Sequence, residues 1–259
     1  MPATQSRIGL PDPASIIGET EFTPRRVATA EAAAAGARRA GLPARYRIIT
    51  TNELDAYEAP LMPAEAEIFG LNRVRAPGDN FAGTARKAAK LSISNAPVQT
   101  FPDVSGVLAA LPAKDPKNLS DDPKSGRIAD EERNVRVRAF LYAASRESDN
   151  DFHLIVGDDP KQGTKVKMMT MEISGLPHKN SASFARLKSV RDAYKDFFKS
   201  DLPGFSYDFY DPPIPIEVEG SLFFDASHAH GTPPGPAKLR PHMPRIWELH
   251  PISKIVFEP

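Results

Sequence analysis

Cysteine is absent from this chain of 259 residues, which excludes disulfide bonds, thiolate metal ligands and cysteine nucleophiles. No run of apolar residues approaches the ~18 that a transmembrane helix needs. Net charge is also absent, because 33 basic residues balance 33 acidic ones. A chain with this balance has no overall field to attract nucleic acid or an anionic membrane.

The first thirty residues contain Arg7, Arg25 and Arg26 among several prolines, and they lack the compact apolar segment of a secretory signal. The default expectation is a cytoplasmic protein, and a secreted mature form is the alternative. The absence of cysteine does not separate the two, because it is compatible with either redox environment.

Aromatic residues and histidines are concentrated in the C-terminal half. Fifteen of the aromatic side chains and all six histidines lie in residues 133–259. Since aromatic side chains bury large areas, we expect the main hydrophobic core in this half. Proline is abundant as well, with 26 residues in the whole chain, and predicts long irregular connections.

The composition divides the chain into three parts. Residues 1–113 are rich in proline and alanine, residues 114–132 are polar and typical of a linker, and residues 133–259 form a β-rich domain. The first part is expected to pack on the domain as an arm or partial layer. Its predicted elements are helices at 28–41, 82–91 and 104–111 and a strand at 45–50.

The domain begins with a clear period of two. Residues 135–142 alternate on two faces, which predicts a half-buried strand. Further strands are predicted at 152–156, 166–173, 214–222 and 246–257, the last bent or interrupted at Pro251. Between the third and fourth strands, helical spacing relates Phe184, Leu187, Tyr194 and Phe197.

The resulting order, β-β-β-α-β-β, predicts a mainly β protein with helices. Five strands with one helix between the third and fourth are typical of the OB-fold, a partly open Greek-key barrel. A split β-sandwich and an α+β sheet of another strand order are the alternatives.

Three short stretches place a carboxylate near an imidazole. They contain Asp151 and His153; Asp225, His228 and His230; and Glu248 and His250. Residues two apart in an extended strand share a face, so Asp151 can project with His153 and Glu248 with His250. His228 and His230 can do the same if their loop is extended. These seven side chains are the candidate binding residues.

Two interpretations of these stretches stay open. Imidazole and carboxylate groups are ligands for transition metals, with His153, His228 and His250 as the candidate metal ligands. The other interpretation, which we favour here, is that each histidine makes a structural hydrogen bond, because no spacing such as HExxH is present. No cofactor is therefore predicted, with a transition metal as the alternative.

Other chemistries have less support. The sequence has no GxSxG elbow, no Walker A loop and no dinucleotide glycine fingerprint. OB barrels also bind single-stranded nucleic acid, and Arg136, Arg138, Phe140 and Tyr142 are candidates for such a surface. Residues 133–259 nevertheless hold 17 basic and 16 acidic side chains, which disfavours this function.

Residues 225–245 form a connection of unusual length between two predicted strands. The segment contains five prolines and two glycines, and hairpin loops usually have two to five residues. Loops of this length are generally functional or disordered. We expect either a recognition surface or a lid over one end of the barrel.

The runs GSLFFDASHAHG and IWELHPISKIVF resemble the closing strands of a group of uncharacterised bacterial OB-like β-barrel proteins. The DFHLIV run around His153 is similar to the second strand of that group. The resemblance covers residues 133–259 at most. It implies an OB-like barrel and draws attention to Asp151, His153, Asp225, Glu248 and His250, but it implies no particular activity.

The functional hypothesis is a non-enzymatic binding or interaction module on an OB-like barrel. Its ligand would be a small molecule or a protein partner. A metal-dependent hydrolase that uses the histidine–carboxylate pairs is the first alternative, and single-stranded nucleic-acid binding is the second.

Overall fold

The computed structural model describes residues 8–24, 42–55, 78–230 and 234–259, without the side chains of Ser227 and His230. Within these residues the protein is mainly β, with eight strands in one mixed sheet and several helices. The strands are β1 (Ile16–Phe22), β2 (Tyr46–Thr51), β3 (Val98–Phe101), β4 (Asn134–Arg146), β5 (Phe152–Gly157), β6 (Met168–Ile173), β7 (Asp208–Phe224) and β8 (Trp247–Phe257).

Three α-helices accompany the sheet: α1 (Lys87–Lys90), α2 (Val104–Ala109) and α3 (Phe184–Phe198). Only α3 is longer than two turns, and it connects β6 to β7. Short 3-10 segments lie at Pro13–Ser15, Ala129–Glu131, Pro160–Lys165, Ala226–His230 and Arg240–His242.

The sheet has the order β1-β2-β7-β8-β6-β5-β4-β3, and β7 also pairs with β4. Strand β3 is parallel to β4 and β6 is parallel to β8, whereas the other pairs are antiparallel. The register of β4 shifts between Leu141 and Ala143 toward both β5 and β7. A bulge of this kind bends a strand, so β4 can pair along two directions of the sheet.

The element order in residues 134–257 agrees with the predicted one: three strands, a helix and two strands. Strand β8 runs through Pro251 without a break, although its register with β7 shifts between Gly220 and Leu222. Proline has no N–H for the ladder, which accounts for an irregular register at this position.

The N-terminal part contributes strands that the sequence did not indicate. The sequence predicts β2, which lies between β1 and β7. It does not predict β1 and β3, because these two strands lack a clear apolar alternation. The predicted helix at 82–91 is shorter in the structure, because Arg86 has a left-handed φ of 48° immediately before α1. The predicted helix at 28–41 lies outside the described residues.

The main hydrophobic core lies between the sheet and α3. Alternate residues of the strands point into it, including Leu141, Leu154, Met171 and Leu249, and the helix adds Tyr194. Residues on the other face of the strands pack into a second, smaller apolar cluster, which joins Tyr142, Ile155 and Met168 to Leu239 and Met243 of the connection between β7 and β8. Both faces of β5 and β6 are therefore covered, and polar side chains on these strands lose contact with water.

Two polar residues of 114–132 are anchored in the folded chain. Arg127 donates hydrogen bonds to the carbonyl oxygens of Leu222 at 2.5 Å and His250 at 2.6 Å. Glu131 forms a buried ion pair with Arg86 at 2.7 Å. The division of the chain at 114–132 stays a prediction, but this segment contributes contacts to β7 and β8.

Replacing Leu141 with alanine tests the core. Leu141 is fully buried, so we expect Leu141→Ala to lower the free energy of unfolding by about 2–5 kcal/mol. The matched control is Ile17→Ala on β1, where the side chain is 65% exposed and the expected change is within about 0.5 kcal/mol. Urea denaturation measures both, and equal effects of the two substitutions would contradict the packing described here.

Candidate functional site

The turn between β4 and β5 carries the first residues of a buried polar cluster. The N–H of Glu147 donates to the carbonyl oxygen of Asp151 at 2.9 Å and closes the turn. Asn150 takes a left-handed φ of 83°, a conformation that asparagine tolerates better than most residues. The turn thus places the carboxylates of Glu147 and Asp151 at the beginning of β5.

The registers of three adjacent strands align the rest of the cluster. His153 of β5 is directly opposite Glu172 of β6, and Thr170 of β6 is opposite Glu248 of β8. Two residues further along β8, His250 lies beside Glu172. Since Leu154, Met171 and Leu249 point into the main core, these polar side chains lie on the opposite face of the sheet.

His250 lies among three carboxylates and has no solvent exposure. Its Nδ1 is 2.8 Å from Glu172 Oε2 and 3.1 Å from Glu248 Oε1. Its Nε2 is 3.3 Å from Asp151 Oδ2 and 2.8 Å from Ser174 Oγ. The imidazole is therefore the centre of the cluster.

His153 has a hydrogen-bonded carboxylate and an aromatic ring beside it. Its Nδ1 is 2.5 Å from Glu147 Oε1, and its ring meets the Tyr207 ring edge to face at 6.0 Å. Its Nε2 is buried and has no hydrogen-bond partner among the described residues. Asp151 Oδ2 and Glu172 Oε2 are also buried, but each lies beside a nitrogen of His250. Of these three atoms, only the His153 nitrogen therefore has neither a hydrogen-bond partner nor an ion-pair partner within the described residues.

Lys90 is the one lysine beside these carboxylates in the described part of the chain. Its Nζ is 3.3 Å from Asp149 Oδ2. Burial acts to lower the pKa of Lys90, but the charges of Glu172 and Asp149 outweigh it and raise the pKa well above its usual range. The surrounding carboxylates therefore favour the charged form of Lys90, which is paired with Asp149.

The carboxylates of the cluster respond to burial in different ways. Burial and the charge of Glu172 raise the pKa of Glu147 well above its usual range. Burial also raises the pKa of Asp151 and that of Glu248 to about 7. The loss of hydration disfavours the ionised form of each carboxyl group, and the neighbouring negative charges raise its pKa further.

Glu172 and His250 favour each other's charged form. Burial opposes the ionisation of Glu172, but the charges of His250 and Lys90 hold its pKa well below the usual range. Burial likewise acts to lower the pKa of His250, but Glu172 and the other carboxylates raise it well above the usual range. The pair is the electrostatic centre of a site where negative groups outnumber positive ones.

Two overlapping sets of side chains have the arrangement of metal ligands. Asp151, Glu172 and His250 form the His250 group, in which one potential ligand atom from each residue lies within 4.8 Å of the others. Glu147, His153 and Glu172 form the His153 group under the same condition. Oxygen and imidazole nitrogen are donors for zinc, manganese, iron and cobalt.

His228 lies in a separate network. It is hydrogen-bonded to Asp225 through Nδ1, and its Nε2 is 3.0 Å from Asp55 Oδ1. The Tyr207 hydroxyl and the Gly235 N–H both donate to Asp55 Oδ2 at 2.8 Å. Asp225 and His228 of the second predicted stretch therefore have hydrogen-bond partners of their own, apart from His250.

The part of the long connection at residues 234–245 packs on the polar face of the sheet. Leu239 and Met243 of this connection belong to the second apolar cluster, together with Ile155. Gly235 has a φ of 87°, and a Cβ there would lie 2.6 Å from Met243 Cε, so glycine is required. In the described residues the connection therefore packs on a face of the sheet, and its expected function as a recognition surface or as a lid over one end of a barrel stays a prediction.

The structure brings together four of the seven predicted site residues: Asp151, His153, Glu248 and His250. Asp225 and His228 lie in the separate network, and the side chain of His230 lies outside the described residues. The sequence reasoning missed Glu147, Glu172, Lys90, Ser174 and Asp55. Glu172 could have been found, because it is a charged residue inside a predicted strand and is flanked by the apolar residues Met171 and Ile173.

The arginine face of β4 is neutralised within the sheet. Arg136 pairs with Glu219 at 2.7 Å and Arg138 with Glu217 at 3.1 Å. Tyr142 is buried, and its hydroxyl donates to the carbonyl oxygen of Asp158. These side chains therefore do not provide free cations beside an exposed stacking ring, which is what a nucleic-acid surface needs.

Comparison with protein families, curated proteins and solved structures found no match to this chain. Among the described residues, none of the helices has the length and apolar character required to cross a membrane. The site's chemistry is therefore the basis for any functional assignment.

The pH dependence of stability tests the His228 network. Burial acts to lower the pKa of His228, but hydrogen bonds to Asp225 and Asp55 raise it to about 11. The unfolded value is about 6.5, so protonated His228 stabilises the fold fully below about pH 6.5 and loses this effect as the pH rises toward 11. We expect His228→Gln to lower the free energy of unfolding most at neutral pH.

Urea denaturation of the wild type and His228→Gln at several pH values between neutral and about pH 10 measures this effect. The difference in free energy of unfolding between the wild type and His228→Gln should become steadily smaller as the pH rises. His178→Gln is the control, because His178 is exposed. A difference that does not change with pH would contradict the network described here.

Proposed function

We propose that this protein is an OB-like barrel module that binds a divalent transition-metal cation at the His250 group. The observation that carries the proposal is the convergence of Asp151, Glu172 and His250, whose potential ligand atoms lie within 4.8 Å of one another in a buried site. The three residues come from the β4–β5 turn, β6 and β8. The ligand of the binding module is thus a metal ion.

The pairing of five strands supports the barrel. β4, β5 and β6 pair in sequence, β6 is parallel to β8, β8 pairs with β7, and β7 pairs again with β4. The helix α3 lies between the third and fourth of these strands. This is the connectivity that an OB-like barrel requires, and the bend of β4 at its bulge is compatible with closure.

The crowding of carboxylates around His250 supports a cation over purely structural contacts. Asp151, Glu172 and Glu248 all lie within 3.3 Å of the imidazole in a buried site. Buried carboxylates are costly unless positive charge compensates them. A cation at the His250 group would supply such a charge.

The donor set favours a transition metal over calcium or magnesium. The hard cations prefer all-oxygen sites, whereas imidazole suits zinc, iron, cobalt and manganese. Glu248 lies 3.1 Å from His250 Nδ1 and is placed to orient the imidazole. The Glu-Leu-His-Pro sequence of β8, on which the resemblance to bacterial OB-like proteins rests, thus supplies one ligand and one orienting group.

Metal binding by protein purified without a histidine tag tests this function. After dialysis against EDTA, titration with Co²⁺ is followed by visible absorption and by the melting temperature. We expect stoichiometric binding and a rise in melting temperature, because a ligand that binds only the native state stabilises it. His250→Gln should weaken Co²⁺ binding at least about tenfold, since even outer-shell changes cost that much.

His178→Gln is the matched control and should bind Co²⁺ as the wild type does, because His178 is exposed and is not one of the residues of the buried cluster. Circular dichroism establishes that both variants fold. A wild type that binds no Co²⁺ and no Zn²⁺, or binding that His250→Gln leaves unchanged, would refute the proposed function.

Metal-dependent hydrolysis is a second candidate function, and one observation favours it. Each ligand group has three protein residues. Catalytic zinc sites typically use three protein ligands and keep the fourth position for water, whereas structural zinc sites are rich in cysteine, which this chain lacks. A bound water activated by the metal would be the nucleophile.

Two chromogenic probes test the hydrolase. We expect the Zn²⁺- or Mn²⁺-loaded protein to hydrolyse p-nitrophenyl acetate or bis(p-nitrophenyl) phosphate, and His250→Gln to abolish the turnover. His178→Gln should keep it. Metal-loaded protein without turnover of either probe would count against this candidate and leave the metal-binding proposal in place.

A further inference from the structure

A cavity of about 720 Å³ opens between α1, the segment 91–95, residues 123–124 and the residues that precede α3. None of the residues of the His250 group or the His153 group lines it. Cavities of roughly 300–1,000 Å³ are typical of small-molecule sites. The cavity is therefore large enough for an organic ligand and is separate from the proposed metal site.

One wall of the cavity, residues 91–95, is irregular backbone that buried side chains hold in place. The Ser183 hydroxyl donates to the carbonyl oxygen of Leu91 at 2.7 Å. The Ser94 N–H donates to the Ser221 hydroxyl at 3.0 Å. A wall fixed in this way is preformed, so that a ligand has little of the chain to order when it binds.

The cavity has a positive lining. Lys87 and Lys124 line it, and none of its described lining residues carries a carboxylate. Neither lysine forms an ion pair within the described ranges, and Lys87 Nζ lies 5.7 Å from the centre of the Phe81 ring. Behind the wall, Arg127 donates to the carbonyl oxygen of Ser92 at 2.7 Å. Positive charges that no carboxylate compensates attract an anion to this cavity.

A buried hydroxyl in the lining also lacks an acceptor. Ser94 lines the cavity and is 6% exposed. Its Oγ accepts a hydrogen bond from the Ala96 N–H at 3.1 Å, and its own O–H has no acceptor in the part of the chain that the structure describes. Since buried donors are usually satisfied, this hydroxyl favours a ligand that supplies an oxygen lone pair. The observation is independent of the lysines.

Apolar side chains make up much of the remaining lining. They include Leu91, Ile93, Pro123 and Pro177. An inorganic anion would contact the charged and hydroxyl groups and leave this apolar part uncovered. An anion attached to an organic group would cover both parts of the lining, because burial of apolar surface adds to the affinity.

We propose that this cavity binds an organic phosphate monoester. Its phosphate group would contact Lys87, Lys124 and Ser94, and its organic part would contact Leu91 and Pro177. A phosphate monoester carries about −1.5 to −2 charges near neutral pH and has three strong acceptor oxygens. Two ammonium groups and one hydroxyl match this charge and these acceptors.

Titration calorimetry with phenylphosphonate tests the proposal. This probe joins a dianion of phosphate shape to an apolar ring, and its C–P bond resists hydrolysis. EDTA-treated protein is used, so that the probe has no metal ion to bind. We expect one equivalent in the wild type. Lys87→Gln and Lys124→Gln should each weaken binding about tenfold or more, because each removes a charge-assisted hydrogen bond.

Lys161→Gln is the matched control, because Lys161 is exposed and does not line the cavity. It should bind the probe as the wild type does. Amide chemical-shift changes in the NMR spectrum of the wild type locate the probe without any substitution, and we expect them at residues 91–95 and 181–183. Inorganic phosphate and benzyl alcohol, which each carry half of the probe's chemistry, should bind at least about tenfold more weakly.

The possible failures are distinct. No saturable binding of phenylphosphonate, shift changes away from the cavity, or equal weakening in Lys161→Gln would overturn the site. Inorganic phosphate that binds as tightly as the probe would overturn the organic part of the assignment, and benzyl alcohol that does so would overturn the phosphate part. Because the cavity shares no residue with the His250 group, none of these results bears on Co²⁺ binding.

Discussion

Charge that is removed from water has to be balanced inside the protein, and this constraint acts most strongly around His250. Three carboxylates approach its imidazole within 3.3 Å, and the ring has no solvent exposure. Buried ionised groups without partners cost several kcal/mol each. The cluster is therefore stable only while its charges compensate each other through protons, Lys90 or bound cations.

The strand pairing explains why these charges meet. β8 lies between β7 and β6, and its parallel pairing with β6 places Glu248 and His250 beside residues that are about 80 positions earlier in the chain. The antiparallel pairing of β5 with β6 adds His153. Three strands thus supply one row of polar side chains, and residues 234–245 pack over the same face through Leu239 and Met243.

Much of the fold could be predicted, because its signals are local. The alternation in β4 and the helical spacing in α3 report directly which side of an element is apolar. β1 and β3 could not be predicted, since edge strands with mostly exposed side chains have little apolar periodicity. α1 is shorter than its helix-favouring sequence predicts, because the buried pair of Arg86 and Glu131 accompanies a left-handed backbone at Arg86.

The sequence by itself determined that the chain is mainly β in its C-terminal half, has no thiolate chemistry, and carries histidine–carboxylate pairs at positions two apart. It also indicated that Glu248 and His250 share a face, because that relation depends only on the strand period. Only the tertiary structure decided that Asp151 and Glu172 join His250, while His228 pairs with Asp55. The reason is physical: side-chain alternation is a property of one strand, whereas ligand geometry depends on registers between strands that are distant in sequence.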